Sequence, residues 1–331
     1  MTKIHLIVRR HTLFAGLALV AGLLVAPVVS LAQSFPSRGL RVVVPFGAGG
    51  TGDLTARAVA DQLSTQLGKS VVVENRPGAG GVSAAEAVLR SEPDGHTLFL
   101  MSNGTAVTAG LFRSLSFDTQ KDFTPISTLG TFDIAVVVPA DSSFKSLGEL
   151  VAHARDNPGK LNLGSVNIGS TQNLAAELFK STAGIQVQII PFNGTPALIG
   201  ALRGHQVDAA VEILGPALPQ IRAGALRALA VTGTRRATPL PDVPTAEEQG
   251  VKGFVASSWN ALAAPAKTPP AVIDRLNSEI QAAVAQPSVQ RKLADLNVDA
   301  ESSTAAQAAE LLASDIRRWR AVIDRAGIER R

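Results

Sequence analysis

Three short segments combine glycine with Ser, Thr or Asn directly before a predicted helix. They are residues 46–53 (FGAGGTGD), residues 167–171 (NIGST) and residues 192–196 (FNGTP). The first turn of a helix leaves backbone N–H groups without partners and carries partial positive charge, and glycine lets a ligand approach the backbone closely. Segments of this kind are typical of anion-binding sites.

A carboxylate held by such backbone groups needs no arginine, provided that two or three of the segments converge. Burying a lone charge is costly, whereas each charge-assisted hydrogen bond contributes about 1.5–3 kcal/mol. For each segment taken singly, the alternative is simple capping, in which Thr51, Ser170 or Thr195 satisfies its own helix. Three segments at equivalent positions favour a shared binding site.

The first segment also fits a second chemistry. Gly47, Gly49 and Gly52 have the GxGxxG spacing of a dinucleotide-binding turn, and Glu74 ends the next predicted strand 22 residues after Gly52. This alternative is an NAD-dependent oxidoreductase with Glu74 on the ribose. Two features count against it: an export signal, and no His/Asp or Lys/Tyr pair with the spacing of a hydride-transfer site.

Other catalytic and metal-binding chemistries find little support in the sequence. The chain has no cysteine, and no nucleophile elbow or zinc-protease motif occurs. The histidines lie far apart, without the spacing of metal ligands: His5, His11, His96, His153 and His205. We therefore predict no catalytic residue, no metal and no cofactor, which describes a protein that is not an enzyme.

The amino-terminal residues have the layout of a secretory signal. Basic Lys3, Arg9 and Arg10 precede an uncharged apolar run, and small residues lead up to Ala32. We predict cleavage after Ala32 and a periplasmic mature protein, with general secretion and the twin-arginine route both open. The whole chain carries a net charge of +4, of which three charges lie in residues 1–32. The remainder is nearly neutral, which argues against nucleic acid as a partner.

Beyond the signal, short apolar runs alternate with helical patterns. The first set predicts strands at residues 40–45, 70–74 and 97–101 with helices at 51–67 and 82–89; the second predicts strands at 161–165, 186–191, 207–213 and 226–232 with helices at 147–154 and 171–183. A final helix is predicted at residues 304–326, with Trp319 in its core-facing stripe. About 300 mature residues favour two α/β domains.

Several motifs together resemble a known family, the tripartite tricarboxylate transporter receptors, also called Bug or TctC-like extracytoplasmic solute-binding proteins. The resemblance covers nearly the whole mature chain. It is carried by residues 44–53 (VPFGAGGTGD), 74–81 (ENRPGAGG), 93–98 (PDGHTL), 204–208 (GHQVD), 226–232 (LRALAVT), 240–245 (LPDVPT) and 259–265 (WNALAAP).

The resemblance implies a type II periplasmic-binding-protein fold with a ligand cleft between two α/β domains. Domain I would comprise residues 33–137 and 254–331, and domain II residues 138–253. The implied function is capture of a small carboxylate by hinge closure and delivery to membrane subunits of a tripartite tricarboxylate transporter. A monomer is expected, because a closing clamp must keep its cleft free.

The resemblance also implies the ligand-binding residues. The domain I side would contribute Phe46, Gly49, Gly50, Thr51 and Asp53, with Ser102 and Asn103 at the distal end of the ligand. The domain II side would contribute residues from two loops and one strand: Gly169, Ser170, Thr171, Asn193, Gly194, Thr195 and Glu212.

Two positions depart from the usual pattern of the family. Phe192 stands where a tyrosine is common, and Glu212 stands where an aspartate is common. Glu212 would suit a ligand amine or hydroxyl, or is simply a capped strand end. The sequence leaves open the identity of the carboxylate and whether the receptor serves a transporter or a signalling sensor protein.

Overall fold

The structure is a computed structural model that describes residues 35–325 and 327–331. The predicted signal peptide and its cleavage after Ala32 lie outside the described residues. Residues from Arg38 to Arg331 form one compact unit. No helix among the described residues is long and apolar enough to cross a membrane.

The first part of the chain builds three parallel strands. These are β1 (Leu40–Val44), β2 (Val71–Asn75) and β3 (Thr97–Ser102), and β1 pairs with both of the others. The helices between and after them are α1 (Thr51–Leu67), α2 (Val82–Leu89) and α3 (Asn103–Leu111), with a short 3₁₀ turn at Ala79–Gly81. Strand β3 is buried along its whole length, as expected for a strand covered on both faces.

A single long strand, β4 (Phe123–Pro139), connects the two halves of the sheet. Its first part pairs antiparallel with β9 (Ser257–Pro265) from Phe123 to Asp133. Its second part, from Ile134 to Pro139, lies between β7 (Ala209–Ile213) and β8 (Leu226–Val231), antiparallel to both. Because one continuous strand joins the halves, its backbone hydrogen bonds change partners at residues 133–134.

The second half repeats the strand–helix alternation. It contains α4 (Leu147–Asp156), β5 (Asn162–Val166), α5 (Thr171–Ala183), β6 (Gln188–Phe192), α6 (Thr195–Arg203) and α7 (Leu214–Arg222). Strand β5 pairs parallel with β6 and β7. The chain then returns through β9 to the first half and ends with α8 (Pro270–Val284), α9 (Pro287–Asp295), β10 (Val298–Asp299) and α10 (Ala305–Arg325).

The resulting sheet has the order β2-β1-β3-β9-β4-β7-β5-β6, with β8 and β10 also paired to β4. The predicted α/β class is confirmed, and helix α1 has the predicted bounds. The predicted core role of Trp319 also holds, since its side chain is fully buried with Ile316 and Ile323. The division into domains at residues 137 and 254 stays a prediction.

Helix α3 is one of the elements that the sequence did not predict. It begins with Asn103 and Gly104, which are poor helix formers. Every residue of α3 except Ala109 is buried, so no polar face marks the helix in the sequence. Tertiary burial rather than amphipathic periodicity therefore establishes this helix.

Candidate ligand-binding site

A cavity of about 460 Å³, including its opening to solvent, lies where the two halves of the sheet meet. Its first-half wall consists of Phe46, Gly47, Gly50, Thr51, Gly52 and Ser102. Its second-half wall consists of Val166, Asn167, Thr171, Gln172, Gly194, Thr195 and Ile213. The floor comes from the two connecting strands and contains Phe132, Ser258 and Asn260. Among the described residues, none that lines this cavity carries a charge.

The two halves touch at the edge of the cavity. The Gly80 N–H donates to the carbonyl of Ile168 at 3.0 Å, and the hydroxyls of Thr171 and Ser258 lie 3.2 Å apart. A Cβ added at Gly169 would lie 2.9 Å from the Gly80 Cα, and Gly169 has φ +83°. Glycine is therefore required for this close approach of the two halves.

Helix α1 presents free backbone donors to the cavity. Its N-cap is Gly50, which offers no capping side chain, and the first helical hydrogen bond runs from Leu54 N to Gly50 O. The N–H groups of Thr51 and Gly52 precede that bond, so they have no partner within the helix. The Thr51 side chain is 1% exposed, and its Oγ1 has no hydrogen-bond partner among the described residues.

Asp53 holds the α1 loop in place from behind. Its buried carboxylate accepts hydrogen bonds from Gly49 N at 2.9 Å, Arg57 Nε at 3.0 Å and Asn75 Nδ2 at 2.8 Å. Burial raises the pKa of Asp53, but these hydrogen bonds outweigh it and hold the pKa below its usual value. Neither Asp53 nor Gly49 lines the cavity, so both act by shaping the loop.

Helix α6 faces α1 with the same kind of open end. Its N-cap, Gly194, has φ +103° and provides no side-chain cap, and the first helical bond runs from Leu198 N to Gly194 O. Pro196 in the first turn has no N–H, which leaves those of Thr195 and Ala197. A Cβ added at Gly50 would lie 3.7 Å from Thr195 Oγ1. The two uncapped helix ends therefore lie opposite each other.

Helix α5 begins differently, because its N-cap is occupied by its own side chain. Ser170 Oγ accepts from Asn173 N at 3.1 Å and donates to the carbonyl of Val166 at 2.6 Å. Capping, the alternative considered from the sequence, applies to Ser170. It does not apply to Thr51 or Thr195, which follow the N-cap glycines.

Ser102 and Asn103 also serve structural contacts. Ser102 caps α3 by accepting from Gly104 N at 3.1 Å, and its backbone N–H donates to Thr105 Oγ1. Asn103 Nδ2 donates to Asp315 Oδ2 at 2.6 Å, which turns the amide toward α10. Ser102 lines the cavity, whereas Asn103 does not.

Glu212 lies behind the second-half wall and is fully buried. Its Oε1 accepts from Gln172 Nε2 at 3.0 Å and from the backbone N–H of Ile213 at 2.6 Å. Burial raises the pKa of Glu212 to about 7, although hydrogen bonds with Gln172, Ile213 and Thr195 oppose that rise. The cavity wall is therefore backed by an acid that titrates near neutral pH.

The structure brings most predicted binding residues to one place. Seven of them line the main cavity: Phe46, Gly50, Thr51, Ser102, Thr171, Gly194 and Thr195. Gly169 and Ser170 line an adjoining space of about 270 Å³. The remaining five line neither space: Gly49, Asp53, Asn103, Asn193 and Glu212.

Sequence reasoning missed three polar residues in the cavity wall. These are Gln172, Ser258 and Asn260, all buried. Ser258 and Asn260 alternate with Trp259 in a strand, so they share one face. Polar residues at this spacing, next to the apolar run of residues 261–265 in the same strand, were the signal that could have identified them.

Comparison with known proteins agrees with this geometry. Residues 55–328 match the model of the tripartite tricarboxylate transporter family receptor. The chain belongs to this receptor family. The receptor is 34% identical to protein BugT of Bordetella pertussis over 99% of this chain and 98% of that protein. It is 35% identical to a protein of Pseudomonas sp. strain P51, encoded between tcbD and tcbE, over 88% of this chain and 87% of that one.

Several solved structures resemble the receptor over most of its length. The periplasmic binding protein BugD superposes with a TM-score of 0.85 at 30% identity, covering 90% of this chain and all of that one. MatC of Rhodopseudomonas palustris, solved with malate, has a TM-score of 0.83 at 32% identity, over 87% of this chain and 100% of MatC. An R. palustris protein solved with adipate has a TM-score of 0.85 at 31% identity, over 89% and 99%. The predicted periplasmic-binding-protein fold is confirmed.

The dinucleotide interpretation fits this receptor poorly. Glu74, which would hold the ribose, is engaged by Arg41 at 3.0 Å and by Arg76. The glycine turn at residues 47–52 faces residues 193–196 of the other half across the cavity. The family is one of solute-binding receptors rather than dehydrogenases.

Proposed function

We propose that this receptor captures a small organic carboxylate in the periplasm and delivers it to membrane subunits of a tripartite tricarboxylate transporter. The observation that carries the proposal is the pair of uncapped helix ends, at Gly50 of α1 and Gly194 of α6, that face each other across a cavity with no charged lining residue. Backbone N–H groups of both halves would share the carboxylate.

The physical basis is the complementarity between a carboxylate and an uncapped helix start. A carboxylate that leaves water needs several hydrogen-bond donors, and an uncapped helix start has donors that need an acceptor. The buried Thr51 hydroxyl adds one more donor without a partner. Similar receptors solved with malate and with adipate bind dicarboxylates, which supports the same ligand class here.

The mechanism follows from the binding of one anion by both walls of the cavity. We infer that ligand binds one wall first and that the second wall closes by bending at the connecting strands β4 and β9. Contacts such as Gly80 to Ile168 form only on closure, and the closed form is recognised by membrane subunits. The receptor itself acts as a monomer and catalyses no reaction.

A ligand screen tests this function directly. The mature protein, starting at Gln33, is expected to melt at higher temperature with at least one small carboxylate, because a ligand that binds only the folded state stabilises it by mass action. NAD serves as the comparison compound. A flat response to all acids with a clear response to NAD would overturn the proposal in favour of the oxidoreductase.

The variant Thr51→Val tests where the carboxylate binds. Loss of one charge-assisted hydrogen bond is expected to weaken the best acid by about tenfold or more, measured by calorimetry. The matched control is Thr55→Val, one turn further along α1, whose buried Oγ1 also lacks a partner but does not line the cavity. Equal affinity in both variants would show that the carboxylate lies elsewhere.

A further inference from the structure

Two buried amide side chains line the cavity, and they differ in how freely they can turn. Asn260 is 1% exposed, and neither its Oδ1 nor its Nδ2 has a hydrogen-bond partner among the described residues. A half-turn of the amide exchanges donor and acceptor. Asn260 can therefore adapt to a ligand group of either kind, as can the rotating hydroxyl of Thr51.

Gln172 cannot adapt in this way. Its Nε2 donates to Glu212 Oε1 at 3.0 Å, and the Ile213 N–H donates to that same oxygen at 2.6 Å. An oxygen that accepts from a backbone N–H stays an acceptor even when the carboxyl is protonated, because the proton then resides on the other oxygen. The NH₂ group of Gln172 is thus held toward Glu212, and its carbonyl oxygen is left for the cavity that it lines.

A fixed carbonyl oxygen in the wall discriminates between ligands. A ligand carboxylate oxygen placed against it is repelled, and a methylene group leaves it without a partner in a buried site. A hydroxyl or ammonium group, in contrast, donates a hydrogen bond to it. A site built to pair one polar group rejects the analogue that lacks the group more strongly than an apolar pocket rejects a change of size.

Building on the proposed function, we propose that Gln172, oriented by Glu212, selects the ligand, which is a small carboxylic acid bearing a hydroxyl or ammonium group near the carboxylate. The helix starts of α1 and α6 bind the carboxylate, and Gln172 Oε1 accepts from the donor. Glu212 is a positioning residue, since it acts through Gln172.

Matched ligand series test the selection on the wild-type receptor. One series is propionate with its hydroxy and amino derivatives, and the other is succinate with its hydroxy and amino derivatives; the donor is placed on the first or second carbon after the carboxylate. Calorimetry is expected to show at least one donor-bearing acid binding about tenfold or more tighter than its parent acid. A hydroxyl-only or an ammonium-only response identifies which donor is used.

Two variants test the assigned residue. Gln172→Leu removes the acceptor, and Glu212→Leu removes the oxygen that holds the NH₂ group of Gln172, so that the amide of Gln172 is free to turn. Both are expected to bring the affinity ratio of donor-bearing to parent acid close to one. Gln66 and Glu279 are the matched control pair. Gln66 Nε2 donates to Glu279 Oε2 at 2.9 Å, and neither residue lines the cavity. Gln66→Leu and Glu279→Leu are expected to keep the wild-type ratio.

The outcomes separate the two proposals. If parent and donor-bearing acids bind equally to the wild type, the selection is overturned while carboxylate capture stands. If no acid binds, the proposed function fails, and the selection fails with it. If the wild type prefers donor-bearing acids and Gln172→Leu keeps that preference, another residue makes the selection and the assignment is wrong.

Discussion

The two walls of the cavity each have one buried acid behind them, and the two acids are held in opposite ways. Asp53 in the first wall is paired with Arg57 and receives hydrogen bonds from Gly49 and Asn75. Glu212 in the second wall has no cationic partner among the described residues and is hydrogen-bonded only by neutral groups. The pKa of Asp53 is lowered, and the pKa of Glu212 is raised to about 7.

The difference shows two uses of a carboxylate near an anion site. Asp53 is compensated by an arginine, so it can brace the α1 loop without repelling a bound anion strongly. Glu212 has no cationic partner among the described residues, so its negative charge acts on any ligand group in the cavity next to Gln172 and Thr195. Each wall contributes one helix start to the carboxylate, and the second wall also contacts the rest of the ligand through Gln172.

The largest expected effect is on the pH dependence of stability through Glu212. Because its folded pKa of about 7 exceeds the usual 4.5, its stabilising contribution is complete below pH 4.5 and is lost as pH rises through 7. The loss amounts to about 3 kcal/mol. Glu212→Gln lacks this loss, so its unfolding free energy relative to wild type should rise by that amount between pH 4 and pH 8, measured by urea unfolding without ligand. If the difference in unfolding free energy between variant and wild type stays constant with pH, the pKa of Glu212 is not raised by burial.

Asp53 should behave with the opposite sign. Its lowered pKa means that its contribution is present above pH 3.8 and is lost as pH falls through the folded pKa. Asp53→Asn is expected to cost about 2 kcal/mol of unfolding free energy at pH 7, since hydrogen bonds to a charged group are lost. The cost should shrink in acid.

The control for Asp53 is Asp61→Asn on the same helix. Asp61 is exposed and lies 3.4 Å from the Nζ of Lys292, and an exposed pair contributes little. If Asp61→Asn destabilises the receptor as much as Asp53→Asn does, the bracing role assigned to Asp53 is wrong.

The smallest effect distinguishes a capped helix start from an open one. Ser170→Ala should cost about 1 kcal/mol of unfolding free energy, because the cap of α5 is lost, with ligand affinity nearly unchanged. Ser146→Ala is the matched control. Ser146 caps α4 by accepting from Glu149 N at 3.1 Å, and it does not line the cavity. A large loss of affinity in Ser170→Ala alone would make Ser170 a ligand contact.

Much of the fold could be predicted from local patterns. Helix α1 follows from the apolar stripe that includes Val59 and Leu63, and the strands from β-branched runs such as the one at Leu40–Val44. Helix α3 could not be predicted, because a helix buried nearly all round has no polar face. The glycine segments could be identified as parts of the two cavity walls, because their role depends on local backbone geometry.

The sequence by itself determined the fold class, the family and the glycine-bearing helix starts, because these depend on periodicity and on residues close together in the chain. Only the tertiary structure decided which helix starts remain uncapped and which side chains complete the wall. Gln172 and Glu212 lie 40 residues apart in the chain, yet one hydrogen bond joins them. Burial and hydrogen bonding between elements distant in the chain determine the pKa of Glu212 and the orientation of Gln172, and no local pattern records either.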